Sequence, residues 1–152
     1  AISAFQTVTL QESAMEPTYS VSEKFFVNRA LYKISSPKRG DVIVFKTSAS
    51  DSAALHIRRV IGLPGETVQV KDGKIYINGK VYEENGAYQD MTDGGLANSA
   101  ITLESGEYFV LGDNRNNSED SRFSDIGNIS KKYIVGKVWF TVSPKNKIGF
   151  IK

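Results

Sequence analysis

The chain has 152 residues, with 19 Lys and Arg against 17 Asp and Glu, and a formal net charge of +2. This length suits one domain, 1–152, and the balanced charge argues against a dedicated nucleic-acid binder. The absence of cysteine excludes disulfides, thiol nucleophiles and cysteine-ligated metals. With a single histidine, His56, a histidine-rich metal site is not expected.

Short segments rich in Val, Ile, Tyr and Phe follow one another along the chain and predict β-strands, separated by Gly, Pro or Asp-Gly. The predicted strands are 8–10, 24–29, 41–46, 55–61, 67–71, 74–78, 80–82, 100–103, 107–111 and 134–142. Asp72-Gly73 and Asn78-Gly79 favour type I′ turns, so residues 67–82 should form a three-stranded meander. No segment has the periodicity of an amphipathic helix of three turns. The sequence therefore predicts a mostly β fold of antiparallel sheets.

Two long polar segments interrupt the strands. Residues 84–99 contain Asp93-Gly94-Gly95 and predict a surface loop or a mobile excursion from the domain. Residues 112–132 are also long and polar, and a loop of this length without structure would be unusual unless it had a function.

The densest run of chemically active side chains is 112–122. Its simplest interpretation is a solvated turn, because Gly, Asp, Asn and Ser are common turn formers. The alternative is an ordered loop in which Asp120 pairs with Arg115 or Arg122 and leaves a serine hydroxyl fixed nearby. Sequence alone leaves both open.

The strand predicted at 55–61 carries charge on both faces. Because side chains alternate along a strand, His56 and Arg58 share one face and Arg59 points to the other. An edge strand whose arginines extend into solvent would explain this pattern. A charge placed in a semi-buried cleft is the alternative.

Four motifs occur in an order that resembles the bacterial type I signal peptidases, with a compact size similar to the Gram-positive members. They are Met15-Glu16-Pro17-Thr18, Gly40-Asp41-Val42, Arg59-Val60-Ile61-Gly62-Leu63-Pro64-Gly65-Glu66, and the run from Gly112-Asp113-Asn114-Arg115 through Ser118 to Asp120-Ser121-Arg122. The resemblance extends from about Val8 to Ile151 and leaves mainly 84–99 uncovered.

The resemblance implies a protease of largely antiparallel β fold that removes signal peptides from secreted preproteins, without a metal or other cofactor. It also implies an extracytoplasmic domain at the outer surface of the cytoplasmic membrane. The family's anchor precedes the first motif, so we expect this chain to be part of a longer, single-pass protein. The substrate would lie as an extended strand in a shallow apolar groove, a mode in which backbone hydrogen bonds supply affinity.

The family cleaves with a Ser–Lys dyad, and both of its positions are substituted in this chain. The serine immediately precedes the first motif and the lysine precedes the third, which places Ala14 and Arg58 at the dyad positions. Alanine has no nucleophile, and a guanidinium stays protonated and cannot act as a base. Removing one member of such a unit can cost on the order of 10⁶ in turnover, so we expect no useful cleavage.

Three other side chains are possible replacements for the dyad. Ser13 adjoins the nucleophile position, but neighbours in extended chain point in roughly opposite directions. His56 could act as a base, although packing is the simpler role for it. Ser118 lacks a deprotonating partner. None of the three restores a complete dyad.

The resemblance also assigns supporting and substrate-binding positions. It implies that Ser118 lies beside the base position and that Asp120 and Arg122 form an ion pair. The substrate-binding positions that it implies are Met15, Pro17 and Arg59.

Glu12 stands where the family usually has a small residue, often glycine. If the segment before Met15 lies near Arg58, the Glu12 carboxylate could pair with that guanidinium and replace the dyad structurally. Deliberate mutation and natural loss of catalysis both explain Ala14 and Arg58, and the additional Glu12 is more consistent with natural loss.

Two functions from different classes follow. The first is a signal peptidase silenced by its substituted dyad. The second is a natural binding or chaperone-like module for secreted proteins or pilins in Gram-positive pilus assembly. A β-barrel that binds nucleic acid or lipid head groups is a third possibility, and the near-neutral charge opposes nucleic acid.

Overall fold

The computed structural model describes residues 4–50 and 52–151. Its strands are β1 (Phe5–Thr9), β2 (Lys24–Asn28), β3 (Val42–Phe45), β4 (His56–Gly62), β5 (Thr67–Lys71), β6 (Lys74–Ile77), β7 (Lys80–Val81), β8 (Ile101–Thr102), β9 (Glu107–Leu111), β10 (Ile129–Ser130), β11 (Ile134–Ser143) and β12 (Gly149–Phe150). The helical elements are α1 (Leu31–Ile34) and 3₁₀ turns at Ser13–Met15, Gly95–Asn98, Lys131–Tyr133 and Lys145–Lys147. No helix within the described ranges is long and apolar enough to cross a membrane.

The strands form two antiparallel sheets, which confirms the predicted mostly β fold. The larger sheet has eight strands, seven of them in the order β1-β2-β11-β3-β4-β9-β10. The eighth, β12, is outside this order and pairs with β11. The smaller sheet has the order β7-β6-β5-β8. Long β11 pairs with β2, β3 and β12, and register shifts along it mark irregularities in the ladder.

Every predicted strand overlaps an observed one, but β10 and β12 were not predicted. Each has only two residues, as do β7 and β8, which the sequence did predict. The predicted meander is confirmed as β5–β6–β7, with positive φ values at both turns: 51° at Asp72, 77° at Gly73, 52° at Asn78 and 81° at Gly79. This is the backbone that type I′ turns require.

Strand β4 is the central element of the core. It lies between β3 and β9, and all its residues after His56 are buried. Ile57 packs in a cluster with residues of β1, β2 and β11, Val60 packs with β3 and β9, and Ile61 joins the larger sheet to the smaller one. The edge-strand interpretation of this segment is therefore wrong, and its charged side chains enter the interior.

The segment 84–99 runs over the surface but is packed against the domain. Met91 and Ala97 are buried in the cluster that joins the two sheets. The Leu96 amide donates to the Arg122 carbonyl over 2.7 Å, which ties the segment to the 112–122 run. Segment 84–99 is therefore anchored to the domain by two buried side chains and by this hydrogen bond.

Candidate functional site

The 112–122 run is an ordered loop whose charged side chains Asp113, Arg115, Asp120 and Arg122 are buried, while Asn116, Asn117 and Glu119 are exposed. The solvated-turn interpretation is therefore wrong. Asp120 is fully buried and receives Arg122 Nε over 2.9 Å at one oxygen and Arg122 Nη2 over 2.9 Å at the other. Arg115 pairs instead with Glu84, over 2.6 and 2.7 Å. The ion pair expected between Asp120 and Arg122 is confirmed, and each buried charge has a partner, as burial requires.

Ser118 is held inside this loop by the same carboxylate. Its Oγ donates to Asp120 Oδ2 over 2.9 Å. A Cβ at Gly112 would lie 2.1 Å from Ser118 Oγ and 2.6 Å from the Ala14 carbonyl oxygen. Only glycine therefore allows the loop to approach the 3₁₀ turn that carries Ala14.

Hydrogen bonds fasten that turn to the loop. The Asn114 amide donates to the Ala14 carbonyl over 2.8 Å, and Asn114 Nδ2 donates to the Ser13 carbonyl over 3.1 Å. Segments about 100 residues apart in sequence are thereby brought together, with Ala14 next to the loop that holds Ser118.

Arg58 is fully buried, and its guanidinium has four acceptors. Nε donates to the Glu119 carbonyl and Nη1 to the Ile57 carbonyl, each over 2.7 Å. Nη1 and Nη2 also donate to the two oxygens of Glu12, each over 3.0 Å. The predicted pairing of Glu12 with Arg58 is confirmed, in the two-pronged geometry that guanidinium and carboxylate favour.

His56 completes this group because it shares the face of β4 with Arg58. Its Nδ1 lies 3.2 and 3.3 Å from the two Glu12 oxygens. Burial alone would raise the pKa of Glu12, but hydrogen bonds from His56 and Arg58 and their attraction lower it to about 2. Glu12 is therefore ionised at neutral pH and neutralises the buried charge of Arg58.

This pairing predicts a pH-dependent contribution to stability. Because the folded-state pKa of Glu12 is depressed to about 2 from 4.5, its contribution is present above about pH 5 and is lost as the pH falls toward 2. Wild type should exceed Glu12→Gln in unfolding free energy by about 1–2 kcal/mol at pH 7, a figure reduced for partial exposure. Urea unfolding of both proteins from pH 7 to pH 2.5 checks this. A constant difference across the series would contradict an electrostatic origin.

Two adjoining concavities meet at Glu12. The first, which we call the Arg58 cleft, has a volume of about 400 Å³ and is lined by Glu12, Ser13, Ala14, Arg58, Asn116, Asn117, Ser118, Glu119 and Phe123. The second, the β1 groove, has a volume of about 610 Å³ and is lined by residues 6–12 and 54–57. The structure thus brings Ala14, Arg58 and Ser118 to one cleft that an extended groove adjoins.

The three positions expected to contact substrate differ in exposure. Pro17 is exposed, whereas Met15 is fully buried in the core cluster around β1 and β2. Arg59 is also buried and binds both oxygens of Asp113, over 2.9 and 2.7 Å. Any contact of Met15 or Arg59 with a substrate would therefore be made by backbone atoms. Their side chains instead pack in the core, for Met15, and bind Asp113, for Arg59.

Sequence reasoning missed several partners in this site. Asp113 and Asn114 stood in the dense polar run, but nothing local indicated which residue each would contact. Glu84 lay in a segment that carried no motif. No group of three or more His, Cys, Asp or Glu side chains that could hold a metal ion is found in the described parts of the chain.

The fold and this ordered polar loop are those of a signal peptidase domain. Residues 1–143 match the sequence profile of the family described as signal peptidase, peptidase S26. The chain belongs to this signal peptidase family.

Individual relatives agree with this assignment. The chain is 32% identical over 151 residues to the probable signal peptidase I-2 of Synechocystis sp., which covers 93% of this chain and 65% of that protein. It is 36% identical over 151 residues to signal peptidase I T of Bacillus subtilis, covering 95% of this chain and 77% of that protein. The crystal structure of a signal peptidase I from Enterococcus faecalis V583 matches with a TM-score of 0.52 at 32% identity, over 69% of this chain and 98% of that one.

Proposed function

We propose that this domain binds extended peptides in a signal peptidase cleft and does not cleave them. Arg58, at the position of the general base, carries this assignment. Its guanidinium is fully buried, donates to Glu12, Glu119 and Ile57, and remains protonated, so it has no lone pair for a serine proton. Ala14, at the position of the nucleophile, has no hydroxyl.

The remaining hydroxyl and imidazole groups do not make up a substitute dyad. The Ser118 hydroxyl donates to Asp120, whose carboxylate is already engaged by Arg122. The Nδ1 of His56 faces Glu12. A serine nucleophile needs a base within hydrogen-bond reach that accepts its proton. Among the described residues, neither Ser13 nor Ser118 forms a hydrogen bond with His56, so no serine–base pair is assembled.

The β1 groove supports the peptide-binding half of the proposal. In the described chain β1 has a strand partner on one side only, β2. The Arg29 amide donates to the Ala4 carbonyl, and the Leu10 amide donates to the Glu23 carbonyl. The even-numbered residues of β1 therefore direct their backbone N–H and C=O groups toward β2, and the odd-numbered residues direct theirs away from it. The backbone groups of Thr7 therefore face away from β2, toward the open edge. An extended peptide can add to such an edge through main-chain hydrogen bonds.

A proline substitution tests this mode of binding. Thr7→Pro removes an outward-facing N–H, which an edge strand tolerates, so the fold should persist while peptide binding weakens about tenfold. Thr7→Ala keeps the N–H and is the matched control. Fluorescence anisotropy with a labelled signal-peptide segment, alongside thermal unfolding of each variant, measures both effects. Unchanged binding by a folded Thr7→Pro variant would contradict strand addition.

Mass spectrometry tests the absence of cleavage. We expect a signal-peptide-bearing precursor incubated with this protein to keep its full mass. A product cut after a small residue would overturn the proposal.

In the cell, we propose that the domain lies at the outer surface of the cytoplasmic membrane, anchored by a single span. Its partners would be signal peptides of preproteins or segments of pilin subunits, bound as extended strands. The ionised Glu12 paired with Arg58 favours a binding or chaperone-like role, as in Gram-positive pilus assembly, over a peptidase that awaits activation. Binding of a pilin segment in preference to a signal peptide would identify the pilus role.

A further inference from the structure

We propose that the Arg58 cleft is a receptor for the free C-terminal carboxylate of a peptide, and that Glu12 occupies it in the unbound protein. This inference rests on the proposed peptide-binding function of the β1 groove. The ligand would be a peptide with a free α-carboxylate.

The Arg58 guanidinium is positioned independently of Glu12. Nε and Nη1 are fixed by the carbonyls of Glu119 and Ile57, which lie on the loop and on β4. The N–H groups directed at Glu12 belong to a fork that is already oriented by these contacts. A planar guanidinium that is already held in position by backbone carbonyls can bind a carboxylate through two parallel hydrogen bonds.

Glu12 has the properties of a displaceable occupant. Its side chain is 34% exposed, whereas that of Arg58 is 1% exposed. It belongs to the segment between β1 and the 3₁₀ turn, and its carboxylate bonds to Arg58 and His56. Rotation of this one side chain toward solvent would free the two Arg58 nitrogens that now donate to it.

The surroundings of Arg58 suit the end of a peptide. The β1 groove and the Arg58 cleft share Glu12 as a lining residue. A strand bound parallel to β1 would therefore bring its C-terminus to the Glu12 position. Ser13 and Ala14 line the cleft beside that end. A carboxylate at this point would satisfy the same Arg58 donors that Glu12 now satisfies.

Competition from Glu12 sets the expected affinities. An intramolecular group acts at an effective concentration in the millimolar range, so wild type should bind peptide acids weakly. Removing the charge of Glu12 in Glu12→Gln should tighten binding of a peptide acid at least tenfold. The same peptide with a C-terminal amide should bind both proteins alike.

Titration calorimetry with a peptide ending in Ala, as the acid and as the amide, tests this on wild type, Glu12→Gln and Glu12→Gln/Arg58→Gln. We expect tight binding only for the acid with Glu12→Gln, and loss of the acid preference when Arg58 is also replaced. Equal binding of acid and amide by Glu12→Gln would overturn the carboxylate receptor and leave the groove intact. Failure of every peptide to bind would contradict the proposed function itself.

Acetate gives a second measurement that does not depend on the groove. The melting temperature of Glu12→Gln should rise with acetate and not with chloride at equal ionic strength, while wild type should not respond. An equal response to both salts would overturn the receptor even if peptides bind elsewhere. If Glu12→Gln is too unstable to purify, Glu12→Asp replaces it, because its shorter side chain keeps the charge but competes less well for Arg58. Equal binding of the peptide acid by Glu12→Asp and wild type would then overturn the proposal.

Discussion

The double variant Ala14→Ser/Arg58→Lys is expected to remain without cleavage activity, although it restores both dyad residues. The introduced lysine would lie beside the ionised carboxylate of Glu12, which now accepts from Arg58 over 3.0 Å. A neighbouring negative charge favours the protonated ammonium. A lysine acts as a base only when its pKa falls toward neutrality, whereas Glu12 would raise it. Adding Glu12→Gly should permit cleavage, with a gain of roughly 10³-fold or more over the double variant.

Mass spectrometry of a signal-peptide-bearing precursor, incubated with the double and the triple variant, measures this gain. The control is Glu12→Gly/Arg58→Lys, which retains Ala14 and should not cleave. Equal cleavage by the double and triple variants would show that Glu12 does not suppress the base. If neither cleaves, the groove rather than the dyad has diverged.

Asp120→Ala is expected to lower the unfolding free energy by about 3–5 kcal/mol, the range for removing one partner of a buried ion pair. The substitution leaves the buried Arg122 without its carboxylate and removes the acceptor of the Gly112 amide and of the Ser118 hydroxyl. The loop should also lose its fixed position against the 3₁₀ turn. Urea unfolding at neutral pH measures the loss.

The matched control removes an ion pair that is exposed. Lys74 and Asp90 pair over 3.0 Å with side chains 55% and 68% exposed, so Asp90→Ala should cost less than about 1 kcal/mol. Replacing both buried partners, in Asp120→Ala/Arg122→Met, should recover part of the loss because no unpaired charge remains. Similar effects for Asp120→Ala and Asp90→Ala would contradict the structural role given to the buried pair.

The strands were predictable because their signals are local. Alternation and turn dipeptides define β5, β6 and β7 within 15 residues of sequence, and the Asn78-Gly79 turn took the backbone that this pair favours. The order of the larger sheet was not predictable in this way. It depends on β11 pairing with strands about 100 residues earlier, and no local pattern encodes those contacts.

The contacts of the site also differ in whether they are local in sequence. The Asp120–Arg122 pair spans two residues, and motif resemblance indicated it directly. The Arg115–Glu84 pair joins two loops 31 residues apart, so only the packing of segment 84–99 brings it together. Glu12 was identifiable because it is a charge at a position where the resemblance implies a small residue.

The Glu12–Arg58 pair has a consequence for how cleavage could arise in this chain. Glu12→Gly alone would strand a buried guanidinium, and Arg58→Lys alone would leave an ammonium bound to a carboxylate, so neither first step toward a peptidase brings activity. Ala14→Ser alone adds a hydroxyl with no base. Under the proposed function, cleavage would therefore require all three substitutions together, and selection for cleavage would have no single-residue step to favour.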